Sequence, residues 1–94
     1  MRARCKDGNH KEIVKEFERF GCVVEDMTAK DNFCDVHISD NRGGWAWVEI
    51  KNGKKAPLTD GEIKFRDKCT QLNEPYFIVR TLADVSKVLK QIKE

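Results

Sequence analysis

The chain switches between two hydrophobic periods. Ile13, Val14, Phe17 and Phe20 recur at helical spacing. Asn9, with Glu12 three residues later, has capping-box spacing and predicts the helix start; Gly21 predicts its end. CVVED (22–26) reads as a short strand. NFCDVHIS (32–39) alternates, with Cys34, Val36 and Ile38 on one face and Phe33, Asp35 and His37 on the other. DNRGG (40–44) is turn chemistry, and WAWVEIK (45–51) alternates again: Ala46, Val48 and Ile50 against Trp45, Trp47, Glu49 and Lys51. Thr59 and Glu62 repeat the capping-box spacing and open a helix predicted to bury Phe65, Cys69 and Leu72. YFIVR (76–80) is a continuous apolar run, which predicts an interior strand. Val85, Val88, Leu89 and Ile92 give a final amphipathic helix. The predicted fold is α/β, in the order α-β-β-β-α-β-α, with a mixed sheet flanked by helices.

One face of the second alternating strand is anomalous, because a glutamate and a lysine follow two tryptophans on it. If the 40–44 turn is symmetric about Arg42, residues whose numbers sum to 84 lie opposite one another, and Asp35 faces Glu49 with Cβ atoms roughly 5 Å apart. Two carboxylates so placed repel, and a divalent cation between them converts repulsion into attraction. Hard oxygen ligands with several retained waters suit magnesium. Lys51 lies one pleat along, where an ammonium group can position water or stabilise charge on a phosphate. A surface ion pair on a half-exposed strand is the plainer account of Glu49 and Lys51.

Composition narrows the class. Ninety-four residues, 39% hydrophobic and 36% charged, suit one small folded domain spanning 1–94. No apolar run approaches the roughly 20 residues that cross a bilayer. The start, MRARCKDGNHKEI, lacks the apolar core of a secretory signal, so an intracellular, cytoplasmic location is expected. Cys5, Cys22, Cys34 and Cys69 form no CxxC pair; buried thiols are expected rather than disulfides or a zinc site with His10 or His37. The net charge of +2 neither favours nor excludes nucleic acid, but Arg2, Arg4 and Lys6, and Lys51, Lys54 and Lys55, form basic clusters.

In order along the chain, NHKEIVKEFERFGC, CDVHIS, WVEIKNGKKAPLTDGEIKF and VRTLADVSKVL resemble the PD-(D/E)xK nuclease superfamily. They are most similar to its VRR-NUC type, especially small stand-alone phage-type members related in layout to Holliday-junction resolvases. The resemblance implies a restriction-endonuclease-like core and a Mg²⁺- or Mn²⁺-dependent endodeoxyribonuclease, often a homodimer, acting on branched or flap DNA. Asp35 matches the family aspartate, and Glu49 and Lys51 its ExK. Asp35, Glu49 and the Ile50 carbonyl would bind the metal, and Lys51 would position the attacking water. Cys34 stands where members usually have proline. Glu62 stands where many carry Gln or Glu after "LT", though the capping box is an equally good account of it.

Resolvase-like members place a carboxylate near the start of the first helix. Here helical angles turn His10 toward the apolar arc and Glu12 away from it. His10 could hold a metal-bound water or contact a phosphate, or it could be a buried, hydrogen-bonded histidine. His37, opposite Trp47, reads as packing or a DNA contact. Trp45 and Trp47 could stack on unpaired bases, cover the sheet or meet a second copy. Arg2, Arg4, Lys54 and Lys55 are candidate phosphate contacts. The rival from another class is a non-catalytic DNA-binding module on the same fold, which would have no reason to retain Asp35, Glu49 and Lys51. A protein-interaction module built on the tryptophan face is more distant.

Overall fold

The computed structural model describes residues 8–30 and 33–92. It contains α1 (His10–Arg19), β1 (Val23–Asp26), β2 (Val36–Ser39), β3 (Trp45–Ile50), α2 (Asp60–Gln71), β4 (Tyr76–Val79) and α3 (Leu82–Ile92), the expected order. The strands form one sheet, β1-β2-β3-β4, antiparallel except for the parallel β3–β4 pair that α2 connects. YFIVR is therefore an edge strand, not an interior one. Its apolar character comes from being covered on both faces: Phe77 and Val79 turn to one helical layer and Tyr76 to the other.

Alternation in β2 and β3 sends Val36, Ile38, Ala46 and Val48 to one face, where all four are fully buried under Ile13 and Phe17 of α1 and Val85, Val88 and Leu89 of α3. Each large apolar side chain so buried contributes about 1.5–3 kcal/mol. On the other face α2 lays Phe65 and Cys69 over Cys34, with Phe33, Trp47, Tyr76 and Met27 around them. Cys34 was expected beside Val36 and Ile38. Regular β2 begins only at Val36, and the bend before it turns Cys34 to the α2 side. Leu72, expected in the α2 core, is exposed: it lies just beyond Gln71, and the chain turns away through Asn73 at φ 56°.

Helix ends follow local chemistry. Gly21 (φ 92°) closes α1 as its N–H bonds Glu18 O and the Cys22 N–H bonds Phe17 O, a Schellman arrangement. The 40–44 turn depends on Asp40, whose Oδ1 accepts from the Arg42 and Gly44 N–H groups. A Cβ on Gly44 would lie 2.7 Å from the Ile92 carbonyl oxygen, so the close approach of α3 requires glycine there. The Asn9–Glu12 capping box is absent. Asn9 is the N-cap residue, but its side chain makes no cap bond; Nδ2 instead donates to Lys51 O and Arg80 O, each at 3.1 Å. Those bonds fasten the start of α1 to the ends of β3 and β4.

Candidate active site

The hairpin register is the symmetric one. Val36 pairs with Val48 and His37 with Trp47, and regular pairing stops there: Asp35 lies in the bend just before β2, where its carboxylate meets that of Glu49. The Asp35 N–H donates to Val48 O at 3.2 Å, and its own carbonyl accepts from the Met27 N–H at 2.8 Å. Its side chain then substitutes for the next rung of the ladder, Oδ2 accepting from the Ile50 N–H at 2.7 Å. Two backbone bonds and one side-chain bond therefore hold Asp35 just before β2.

The capping box at the start of α2 is complete. Thr59 Oγ1 accepts from the Glu62 N–H, and Glu62 Oε1 accepts from the Thr59 N–H at 2.8 Å. The same Glu62 oxygen lies 2.7 Å from Lys51 Nζ. The two accounts of Glu62 are thus compatible: capping α2 aims its carboxylate at the lysine. Asp35, Glu49, Lys51 and Glu62 are all at least 90% buried, with Glu49 the deepest at 1% exposure.

Three buried carboxyl groups interact here, Glu49 with Asp35 and with Glu62, and Glu62 pairs with the Lys51 ammonium group. Burial, then hydrogen bonding and charge from Asp35, then the same from Glu62, push the Glu49 carboxyl far above its ordinary range. Burial would also raise Glu62, but hydrogen bonds from Lys51 and the Thr59 backbone outweigh it and lower its pKa. Burial and the two neighbouring carboxyl groups therefore favour the protonated form of Glu49 in the metal-free protein. Glu49 Oε1 is buried with no hydrogen-bond partner among the described residues. A buried oxygen left unpaired costs about 1–3 kcal/mol.

These donors fit a hard divalent cation: the Asp35 and Glu49 carboxyl groups interact at the end of the hairpin, and Glu49 has a buried oxygen with no hydrogen-bond partner among the described residues. The set is sparse, because Asp35 already accepts from Ile50 and Glu62 serves Lys51. Among the described residues, no three or more His, Cys, Asp or Glu side chains are grouped so as to hold a metal.

His10 is buried and Glu12 exposed, as the helical angles required. His10 borders a groove of about 500 Å³ between α1 and the β1–β2 edge, beside Val14, Val24, Asp26 and Val36. Lys54 and Lys55 are exposed on the loop after β3. Arg80 shapes that loop, its Nη1 donating to Gly53 O at 2.9 Å and Ala56 O at 2.8 Å. Arg2 and Arg4 lie outside the described residues.

Trp47 is a packed residue. Its ring makes edge contacts with Phe33 and Phe65, and Nε1 donates to Glu74 Oε1 at 2.9 Å. Trp45 lies nearer the rim, stacked on His37 at 5.6 Å. His37 Nδ1 is 3.9 Å from Glu25 Oε1 across the β1–β2 pair. Cys22, Cys34 and Cys69 are packing residues as well. Among those described none forms a disulfide, and burial, followed by the Glu49 charge, pushes the Cys34 thiol up to about 12.

A structural comparison matches the chain to a solved structure described as a VRR_NUC domain, with a TM-score of 0.74 over 93% of this chain and 97% of that one. The chain has the VRR-NUC type nuclease fold. Identity over the match is 20%, so the likeness is one of fold. No family model and no curated protein matches the sequence. Among the described residues no helix is long and apolar enough to cross a membrane. The long-range bonds of the Asn9, Arg80 and Glu74 side chains escaped the sequence reading, which took Asn9 only as a helix cap. Their bonds join residues 24 to 71 positions apart, and neither periodicity nor a local motif signals such pairs.

Proposed function

We propose that the protein is a metal-dependent endodeoxyribonuclease. The observation that carries this reading is the meeting of the Asp35 and Glu49 carboxyl groups at the end of the β2–β3 hairpin, beside a buried Lys51. Two carboxylates brought together out of water repel, and a cation-dependent task accounts for keeping them. Asp35, Glu49 and the Ile50 carbonyl would hold Mg²⁺ or Mn²⁺, which when bound supplies charge stabilisation for phosphodiester hydrolysis.

The protein's own groups then have separate tasks. Asp35, tied to the Ile50 N–H, presents its carboxylate at a fixed place. Lys51 orients the attacking water and counters charge developing on the phosphate, while Glu62 keeps the ammonium group on the sheet face. His10 contributes from the start of α1. Lys54 and Lys55, with Arg2 and Arg4, would bind the phosphates on either side. The fold likeness supports DNA as the partner; selectivity for branched DNA, whether four-way junction or flap, and action as a homodimer belong to the same proposal.

The test uses labelled linear, flap and four-way DNA with Mg²⁺, Mn²⁺ or EDTA. Wild type should cut at least one substrate in a metal-dependent way, and Lys51→Ala should lose that activity. Cutting that survives EDTA and the substitution would overturn the proposal. Binding without cutting, and without carboxylate-dependent uptake of Mn²⁺, would identify the DNA-binding module instead. Light scattering at micromolar concentration tests the dimer, which a monomer only would contradict.

A further inference from the structure

Tyr76 carries a second unpaired buried atom on the Glu49 face. In the parallel β3–β4 register Trp47 lies beside Tyr76 and Glu49 beside Ile78. Tyr76 therefore shares the Glu49 face, one pleat back on the neighbouring strand. Strands about 4.8 Å apart and two residues of rise put the two Cα atoms about 8 Å apart, a gap that a tyrosine and a glutamate side chain together span. The Tyr76 ring packs at 6.0 Å from Phe65 in the cluster that also holds Trp47, on the α2 side of the sheet.

Both the Tyr76 hydroxyl and Glu49 Oε1 are buried, and neither has a hydrogen-bond partner among the described residues. One can donate and the other accept. Buried polar groups of this kind are ordinarily satisfied, often by a shared water. Burial, then the charges of Glu49 and Glu62, raise the Tyr76 pKa, so the hydroxyl keeps its proton and remains a donor toward those carboxyls.

We infer that Tyr76 is a positioning residue for Glu49: one water bonded to the Tyr76 hydroxyl and to Glu49 Oε1 fixes the carboxylate in the orientation that meets the cation. The inference rests on the metal-dependent reading above. It gives Tyr76 a task that ring packing alone would not require, since phenylalanine would pack equally well.

The test is Mn²⁺ binding, by calorimetry and electron paramagnetic resonance, without DNA, in wild type, Tyr76→Phe and Phe65→Leu. Tyr76→Phe keeps the ring and removes the hydroxyl, and its Mn²⁺ affinity should fall about tenfold or more, as for other groups that orient metal ligands. Phe65→Leu loosens the same packing and leaves the hydroxyl; it should melt lower yet bind Mn²⁺ like wild type. Equal affinity in wild type and Tyr76→Phe overturns the inference and leaves the metal reading standing. An equal loss in both variants also overturns it, since packing then accounts for the effect. If wild type itself binds no Mn²⁺, the metal reading falls and the inference falls with it.

Discussion

Lys51 Nζ and Glu62 Oε1 are 2.7 Å apart on two side chains that are both about 90% buried. The lysine follows β3 and the glutamate opens α2, so one ion pair ties the sheet to the helix that covers this face. Removing one partner of such a pair strands the other charge and typically costs about 3–5 kcal/mol, whereas replacing both is often close to neutral. Lys51→Met and Glu62→Gln should each destabilise the protein, with Glu62→Gln the milder because glutamine can still complete the capping box. The double variant should be more stable than the sum of the two losses predicts. Urea unfolding of the four proteins measures this, and additive losses would mean that the pair contributes nothing as a unit.

Glu49 makes the metal-free protein sensitive to alkali. Its folded pKa is raised above the ordinary 4.5, so the folded protein holds a proton that the unfolded chain releases. The stability this contributes is complete below pH 4.5 and is lost as pH rises toward the folded value, at up to about 1.4 kcal/mol per pH unit. Glu62, with a lowered pKa, acts with the opposite sign in a more acidic window. In EDTA, wild type should therefore melt progressively lower from pH 6 to pH 9, and Glu49→Gln should flatten that dependence. Mn²⁺ should restore stability at the alkaline end for wild type and not for Glu49→Gln. Parallel pH profiles for the two proteins in EDTA would contradict the assignment of the proton to Glu49.

The hairpin and the start of α2 were readable because they depend on local rules. A period of two and a five-residue turn are enough to set the β2–β3 register, and the Thr59–Glu62 spacing is enough to start α2. Reading failed where local chemistry had a competing tertiary partner. Asn9 has capping spacing with Glu12, but its amide is taken by two carbonyls 42 and 71 residues away. Cys34 has the parity of Val36, but the chain bends before β2 and parity no longer applies. YFIVR reads as interior because helices cover both faces, and face burial says nothing about which strand lies at the edge. The Lys51–Glu62 pair was only half visible: family resemblance pointed to Glu62, while its contact with Lys51 needed the packing of α2.

The buried thiols give a probe of opening on this face. Cys34 is fully buried, and its thiol is pushed up to about 12. Thiolate is the reactive form, so iodoacetamide at pH 8 should modify Cys34 only when the α2 face opens or the chain unfolds. Peptide mapping over time should show Cys34 labelling far more slowly than in urea, with a rate that rises in Lys51→Met. Rapid labelling in native buffer would mean that α2 does not cover Cys34 as described.

Asn9 and Arg80 make a prediction that separates loop position from cation binding. The Asn9 amide donates to the Arg80 carbonyl, and the Arg80 guanidinium holds the Gly53 and Ala56 carbonyls, so the start of α1, the end of β4 and the basic loop form one connected unit. Arg80→Ala removes the clamp and leaves Asp35, Glu49 and Lys51 untouched. The loop carrying Lys54 and Lys55 then samples more conformations, and ordering it on DNA costs entropy that the native clamp avoids. DNA affinity at fixed salt should fall several-fold, while Mn²⁺ affinity measured without DNA should not change. Lys54→Ala/Lys55→Ala should weaken DNA binding by removing phosphate contacts, and so should reduce its salt dependence by up to about two counterions. Arg80→Ala should weaken binding with little change in that slope, because both lysines remain. If Arg80→Ala lowers the slope as much as the double lysine variant, Arg80 contacts phosphate directly and the clamp is not its main contribution.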